Sequence, residues 1–410
     1  MQHASRLLKL GMAVLVATAA ATALAQADKP IKIGVSTAMA LQVGRDSIDC
    51  GNLAIEEINA KGGVLGRKLQ LVPADETENP EQGIAAVKKL TSDEKVDVIV
   101  GGYTTGVTLA QLPHISAAKT IYVGVGAASP AITAKVKQDY PNYKYVFRIS
   151  PVNSVRLAQS VVGYVTEYVK GDLGIDTVAM IGESAKWVQD LIPVLKKGVE
   201  QGGVKVAMSE VFDTATTDFS PILSKVKASG AKYLVVILSH ASSDVFAKQW
   251  YDARFPIPYG GIDVKSQDAN FYERVGGKSI SEVNYLSIMR APLSPKTIPF
   301  IDKFQKRFNR IPVYTGTGTY DGIYAYAEAV QRAGSLDTDK VIKELEKTDM
   351  QATTGRVVFD ETHDVRDGPG YVAPLFVQWQ DKGERAILWP KQIATGKFVY
   401  QPWITPSAKK

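Results

Sequence analysis

Short apolar, often β-branched runs alternate with helical stretches along most of this chain, and that alternation constrains its fold more than any other feature. Ile31–Val35, Lys68–Pro73, Val96–Val100 and Thr120–Val125 read as strands. Between them, a stretch from about Asp46 to Ala60 and another from Pro80 read as helices. The pair Gly62-Gly63 supplies a left-handed stop after the first helix. Pro80 suits a first helical turn, where a missing N–H leaves nothing unsatisfied. The continuous run around Val98 suits a strand buried on both faces. Strands separated by helices of this length require right-handed crossovers and a parallel sheet.

The pattern then restarts. A helix over about 153–170 places Ala158, Val161, Val162, Val165 and Tyr168 on one face. Thr177–Ile181, Val204–Val211 and Tyr233–Leu238 read as strands, with helices over Lys186–Lys197 and Phe219–Ala228 between them. Beyond about Ser287 the chain resembles its own first part. Tyr320, Ile323, Tyr324, Ala327 and Val330 form an apolar helical face, and Tyr371–Gln380 reads as a late strand. Two βα series in a chain of 410 residues, with no Pro/Ser-rich linker, imply two α/β lobes joined by several crossings.

The first stretch is expected to lie outside the fold. Arg6 and Lys9 precede an apolar run from Leu10 to Leu24, and Ala23-Leu24-Ala25 makes a small-x-small cleavage site before Gln26. This run is short of the roughly 20 residues that span a bilayer, so residues 1–25 read as a cleaved export signal. No Cys follows it to carry a lipid. Cys50 is the only cysteine, which excludes an internal disulfide. Four histidines without ligand-like spacing leave little for a metal, and none is expected. Lys and Arg number 48 against 42 Asp and Glu, interleaved along the chain, which argues against a nucleic-acid partner.

Five segments carry a recognisable order. Ile58–Leu69 (INAKGGVLGRKL), Asp97–Ala110 (DVIVGGYTTGVTLA), Gly124–Thr133 (GVGAASPAIT), Phe212–Val236 and Thr319–Gly334 (TYDGIYAYAEAVQRAG) follow one another at characteristic spacing. In that order the chain resembles type I periplasmic binding proteins, in particular the leucine/isoleucine/valine-binding family of ABC importers. The resemblance runs from about Lys29 to Gln380. It implies two Rossmann-like lobes with parallel sheets joined by three crossover strands. Lobe one would be 28–147 plus 288–370, and lobe two 148–287 plus 371–410. It further implies a periplasmic protein, expected to act as a monomer without cofactor, that delivers a small amino acid or related carboxylate to an ABC permease. Some relatives bind aromatic acids, amides or urea.

A ligand site belongs at the carboxyl ends of the parallel strands, where helices begin and present unpaired N–H groups. Two such turns follow first-lobe strands, Gly101–Gly106 and Gly124–Ser129, and Thr104 and Thr105 add hydroxyl donors. By the resemblance, Thr105, Ala127 and Ala128 hold a ligand's α-carboxylate and α-amino group. Asp263 aligns with the acid that pairs the ligand ammonium, with Asp268 as a second choice. Trp187 supplies an aromatic wall from lobe two, and Ser239 and His240 face the ligand from the next strand. Departures are visible. Val43 stands where the leucine-type binder has Trp, Ala128 where it has Thr, and Ser239 and His240 where it has aromatics, so the site is remodelled.

Enzyme readings are weaker. Gly124-Val125-Gly126 lacks the third glycine of a dinucleotide fingerprint, since residue 129 is Ser. Gly182-Glu183-Ser184-Ala185-Lys186 lacks the second glycine of a nucleophile elbow, and nothing places His240 or His363 beside Ser184. The competing non-enzymatic reading is a ligand sensor of the same fold.

Overall fold

The computed structural model describes residues 29–406. The expected signal lies outside the described residues. Five strands form the first sheet: β1 (Ile31–Thr37), β2 (Leu69–Asp75), β3 (Val98–Gly101), β4 (Ile121–Gly124) and β5 (Val146–Arg148). Their order is β2-β1-β3-β4-β5 and every pairing is parallel. Helices α1 (Gln42–Ala60), α2 (Pro80–Lys88), α3 (Thr105–Ala117) and α4 (Pro130–Gln138) make the crossovers. The strands β3 and β4 are buried along their whole length, as continuous apolar runs require.

The second sheet has seven strands in the order β14-β13-β10-β9-β8-β6-β7. Here β6 is Thr177–Glu183, β7 Lys205–Phe212, β8 Tyr233–Leu238, β9 Tyr259–Asp263, β10 Val283–Leu286, β13 Leu375–Trp379 and β14 Arg385–Trp389. Helices α5 (Ser154–Gly163), α6 (Lys186–Gln201), α7 (Ser220–Ala228) and α8 (Ser242–Asp252) accompany it. The hairpin of β11 (Asp349–Ala352) and β12 (Gly355–Val358) stands apart.

Parallel sheets were expected for both lobes, and the second sheet is mixed. From β7 to β10 it is parallel, but β13 runs antiparallel to β10 and β14 antiparallel to β13. The chain leaves β10 at Leu286 toward the first lobe and re-enters at Leu375 beside that residue, which sets β13 antiparallel, and the short connection between Trp379 and Arg385 then permits a hairpin but not a crossover.

The chain passes between the sheets three times. It leaves the first after Arg148 and returns after Leu286 with α9 (Thr297–Phe308) and α10 (Tyr314–Ala333). It crosses again between Val365 and β13. Helix α10 covers the first sheet beside α1, and Thr315 Oγ1 donates to the Val43 carbonyl at 2.7 Å. A Cβ on Gly316 would lie 2.9 Å from Cys50 Sγ, so glycine is what lets these helices approach. The return strand is pinned by a bridge between Arg148 and Asp364.

Candidate functional site

A cavity of about 250 Å³ opens between the two sheets. Its walls come from the carboxyl ends of the parallel strands on both sides, where sheets of this kind bind ligands.

The first-lobe wall begins where β3 turns into α3. Gly102 has φ +85°, and a Cβ there would strike the Tyr122 hydroxyl, so the turn needs glycine. Thr104 precedes the helix without a side-chain cap, and the N–H groups of Thr105, Gly106 and Val107 have no acceptor among the described residues. Such an end is ready for an anion. Tyr103 is held by its own N–H, which donates at 2.6 Å to Glu76. Glu76 is fully buried and also accepts from Ser36 Oγ at 2.7 Å and Gln111 Nε2 at 2.9 Å. Burial pushes its carboxyl up, and these bonds oppose that shift. The turn after β4 brings Gly126 and Ala128 to the wall, with Tyr314 from α10 beside them.

The second-lobe wall is built on β6 and β8, neighbours in the sheet. Glu183 ends β6 and is completely buried. Ser239 donates its hydroxyl to Glu183, His240 Nδ1 lies 2.7 Å from the same carboxylate, and the His240 N–H donates at 3.1 Å. Trp187, in the first turn of α6, donates Nε1–H to Ser239 Oγ at 3.1 Å. The bond to Glu183 raises the His240 pKa above its ordinary value. Burial pushes Glu183 up, but His240 and Ser239 outweigh burial and hold it below the usual carboxylate range. Helix α6 also starts without a side-chain cap, and Ala185, Lys186 and Trp187 face the cavity. Ile262, Val264 and Tyr285 complete an apolar floor.

Of the residues singled out in the sequence, Thr104, Thr105, Ala128, Trp187, Ser239 and His240 meet at this cavity. Ala127 and Asp263 lie outside its walls. The Ala127 carbonyl is taken by Arg148 Nη1 at 3.2 Å. Ile262 and Val264 face the cavity, so strand alternation turns Asp263 to the other side. There its Oδ1 accepts from the N–H groups of Lys265 and Ser266 at 3.0 and 3.2 Å. Asp268 pairs with Arg274 at 3.0 Å. Val43 packs with Tyr103, Tyr314 and Val264 in a small apolar cluster under the cavity rim. Sequence reasoning missed Tyr103, Tyr285, Tyr314 and Glu183. Glu183 had a usable signal, an acid at the end of a strand next to the one that ends before Ser239-His240.

The lobes touch across the cavity. Tyr103 Oη donates to the Ser239 carbonyl at 3.5 Å, Ser129 Oγ to Asp190 at 2.5 Å, and the Ala269 N–H to Gln42 at 3.1 Å.

A cavity enclosed by the strand ends of two α/β lobes defines a bilobal solute-binding protein. The profile of the periplasmic binding protein family matches residues 30–384, and the chain belongs to that family. Among its relatives is the leucine-, isoleucine-, valine-, threonine- and alanine-binding protein of Pseudomonas aeruginosa, 26% identical over 77% of this chain and 81% of the relative. A putative branched-chain amino acid ABC transporter protein from Silicibacter pomeroyi superposes with a TM-score of 0.79 at 20% identity, over 92% of this chain and all of that one. A solute-binding protein of an ABC transporter from Rhodopseudomonas palustris, in complex with 3,4-dihydroxybenzoic acid, gives 0.73 at 22% identity, over 87% and 95%.

Proposed function

We propose that this protein captures a small organic acid with an apolar or aromatic body, releases it unchanged, and presents it to an ABC permease in the cytoplasmic membrane as a monomer. The observation that carries this reading is the pair of uncapped helix ends, at Thr105 and Lys186, facing each other across a cavity walled by Tyr103, Trp187, Tyr285 and Tyr314. Donors suit a carboxylate, and rings suit an apolar body. Glu78 is the one carboxylate side chain among the lining residues, and it sits exposed at the rim. An α-amino acid would therefore have its ammonium poorly matched.

Release without conversion is supported by the geometry of the Ser239, His240 and Glu183 group. The Ser239 hydroxyl is spent on the carboxylate, and both it and Glu183 meet His240 at Nδ1. A hydrolytic triad needs opposite imidazole nitrogens for these two roles. His363 is stacked on Phe147 at 4.0 Å in the first lobe and bonded to the Val146 carbonyl, a packing role.

A thermal-shift panel of amino acids, benzoates and amides tests the reading. A ligand at 100 times its Kd adds about 2.7 kcal/mol. Stabilisation by carboxylates, with the acid recovered intact, is the expected result. Stabilisation by amides alone, or any product formed from the bound acid, overturns it.

A further inference from the structure

The second lobe carries a polar device that the general reading leaves unused. Glu183 is completely buried, and its two oxygens take bonds from Ser239 Oγ, His240 Nδ1 and the His240 N–H. A carboxylate accepts only, so the proton between it and the ring sits on Nδ1. The ring geometry then turns Nε2 away from Glu183. Nε2 has no hydrogen-bond partner among the described residues, and His240 lines the cavity. Trp187 leans on the same assembly through its bond to Ser239, so the ring wall and the imidazole are positioned together.

We propose that the Glu183–His240 pair is the specificity determinant of this cavity, presenting Nε2–H to a second acceptor oxygen on the far side of an aromatic carboxylate. This rests on the carboxylate reading above and deepens it. The buried Glu183 charge favours the imidazolium, which makes Nε2 a donor. The other charged groups around the ring are Glu78 at the rim, and Lys265 and Lys186 from the second lobe. Lys186 is paired with Asp190, so it competes little for Glu183. The first carboxylate meets the α3 end, the ring lies among Tyr103, Tyr314 and Trp187, and the second oxygen meets His240. A ligand without that oxygen leaves a charged donor unsatisfied in a closed cavity.

The test is a matched pair of equal size, 4-hydroxybenzoate and 4-methylbenzoate, titrated calorimetrically with leucine as a third probe. The hydroxy acid is expected to bind at least about tenfold more tightly than the methyl acid. In His240→Leu that ratio should collapse, with the methyl acid still bound. His240→Gln keeps an N–H donor and should restore part of the ratio. In the unaltered chain, which needs no variant to fold, 4-methoxybenzoate, whose para oxygen only accepts, should lose affinity relative to 4-ethylbenzoate as pH rises past the His240 titration, because the neutral ring keeps its proton on Nδ1. Equal binding of the two acids, or a ratio untouched by His240→Leu, overturns the pair's role while leaving the carboxylate reading intact. Binding of leucine with neither acid bound overturns the pair's role and the aromatic body while leaving the carboxylate contact at the α3 end, and binding of none of the three overturns both.

Discussion

Arg148 Nε lies 2.8 Å from Asp364 Oδ1, two buried side chains 216 residues apart in the chain. The guanidinium also donates to the carbonyls of Ala127 and Ser129, at 3.2 and 2.8 Å, and to Thr133 Oγ1 at 3.1 Å. One ion pair therefore holds the last first-lobe strand, the returning chain and the cavity turn in a single geometry. Asp364→Ala should cost about 3–5 kcal/mol, because it leaves a buried cation without its partner. Chemical denaturation measures this. A loss under about 1 kcal/mol would mean that the carbonyls alone satisfy Arg148.

Trp187 contributes both a wall and a bond to Ser239. Trp187→Ala should weaken ligand binding by about 2–4 kcal/mol, the range of an aromatic anchor, with first-lobe contacts left in place. The variant should also stay open with ligand present. Small-angle scattering of the unaltered protein should show a smaller radius of gyration on binding, since a two-lobe cleft completes its ligand contacts only when both walls reach the ligand. A radius unchanged at saturation would count against hinge closure.

Glu183 and His240 give stability a bounded pH range. His240 is raised above 6.5, so its contribution is complete below 6.5 and is lost as pH rises through the raised value. Glu183 is lowered below 4.5, so its contribution is complete above 4.5 and is lost as pH falls through the lowered value. The melting-temperature difference between the unaltered protein and Glu183→Gln should therefore peak between these two values. A difference that is flat from pH 4 to 9 would sink the coupling.

Asp263 behaves oppositely. Burial pushes its carboxyl up to about 7, with Asp244 and Glu183 adding in the same direction. Its folded pKa is raised, so the unaltered protein loses stability as pH rises through that value. Asp263→Asn keeps an acceptor for the Lys265 and Ser266 N–H groups and should melt higher than the unaltered protein at alkaline pH. Its ligand affinity should change by less than about threefold. A large loss of affinity would place Asp263 at the ligand after all.

Much of this architecture is legible in the sequence. The run Tyr233–Leu238 is continuous and largely β-branched, and its ends coincide with the strand that forms, while runs such as Val96–Val100 and Tyr371–Gln380 are displaced or trimmed at their ends. Ala128, Trp187, Ser239 and His240 came only through the family resemblance, whereas Thr104 and Thr105 were legible because strand ends and helix starts are local signals. Tyr314 was not, because it reaches the cavity from a helix that returns more than 160 residues after the first lobe's own strands end. Asp263 was misplaced by alignment of position. Its facing depends on strand pleat, and one step along a strand exchanges the cavity for the opposite face.

The order in which the strands join the second sheet bears on how the chain matures. That sheet starts with Thr177–Glu183 and is finished only by Leu375–Trp379 and Arg385–Trp389, while the first lobe waits for Tyr314–Ala333 to cover it. Neither half can be completed from the residues first synthesised. A nascent chain lacking its final segments has an open sheet edge at β10 and an uncovered apolar face beside α1. Commitment to the native state is thereby deferred until synthesis is nearly over, so stopping the chain before Leu375 should yield a product that proteases clear and that never acquires a working second half.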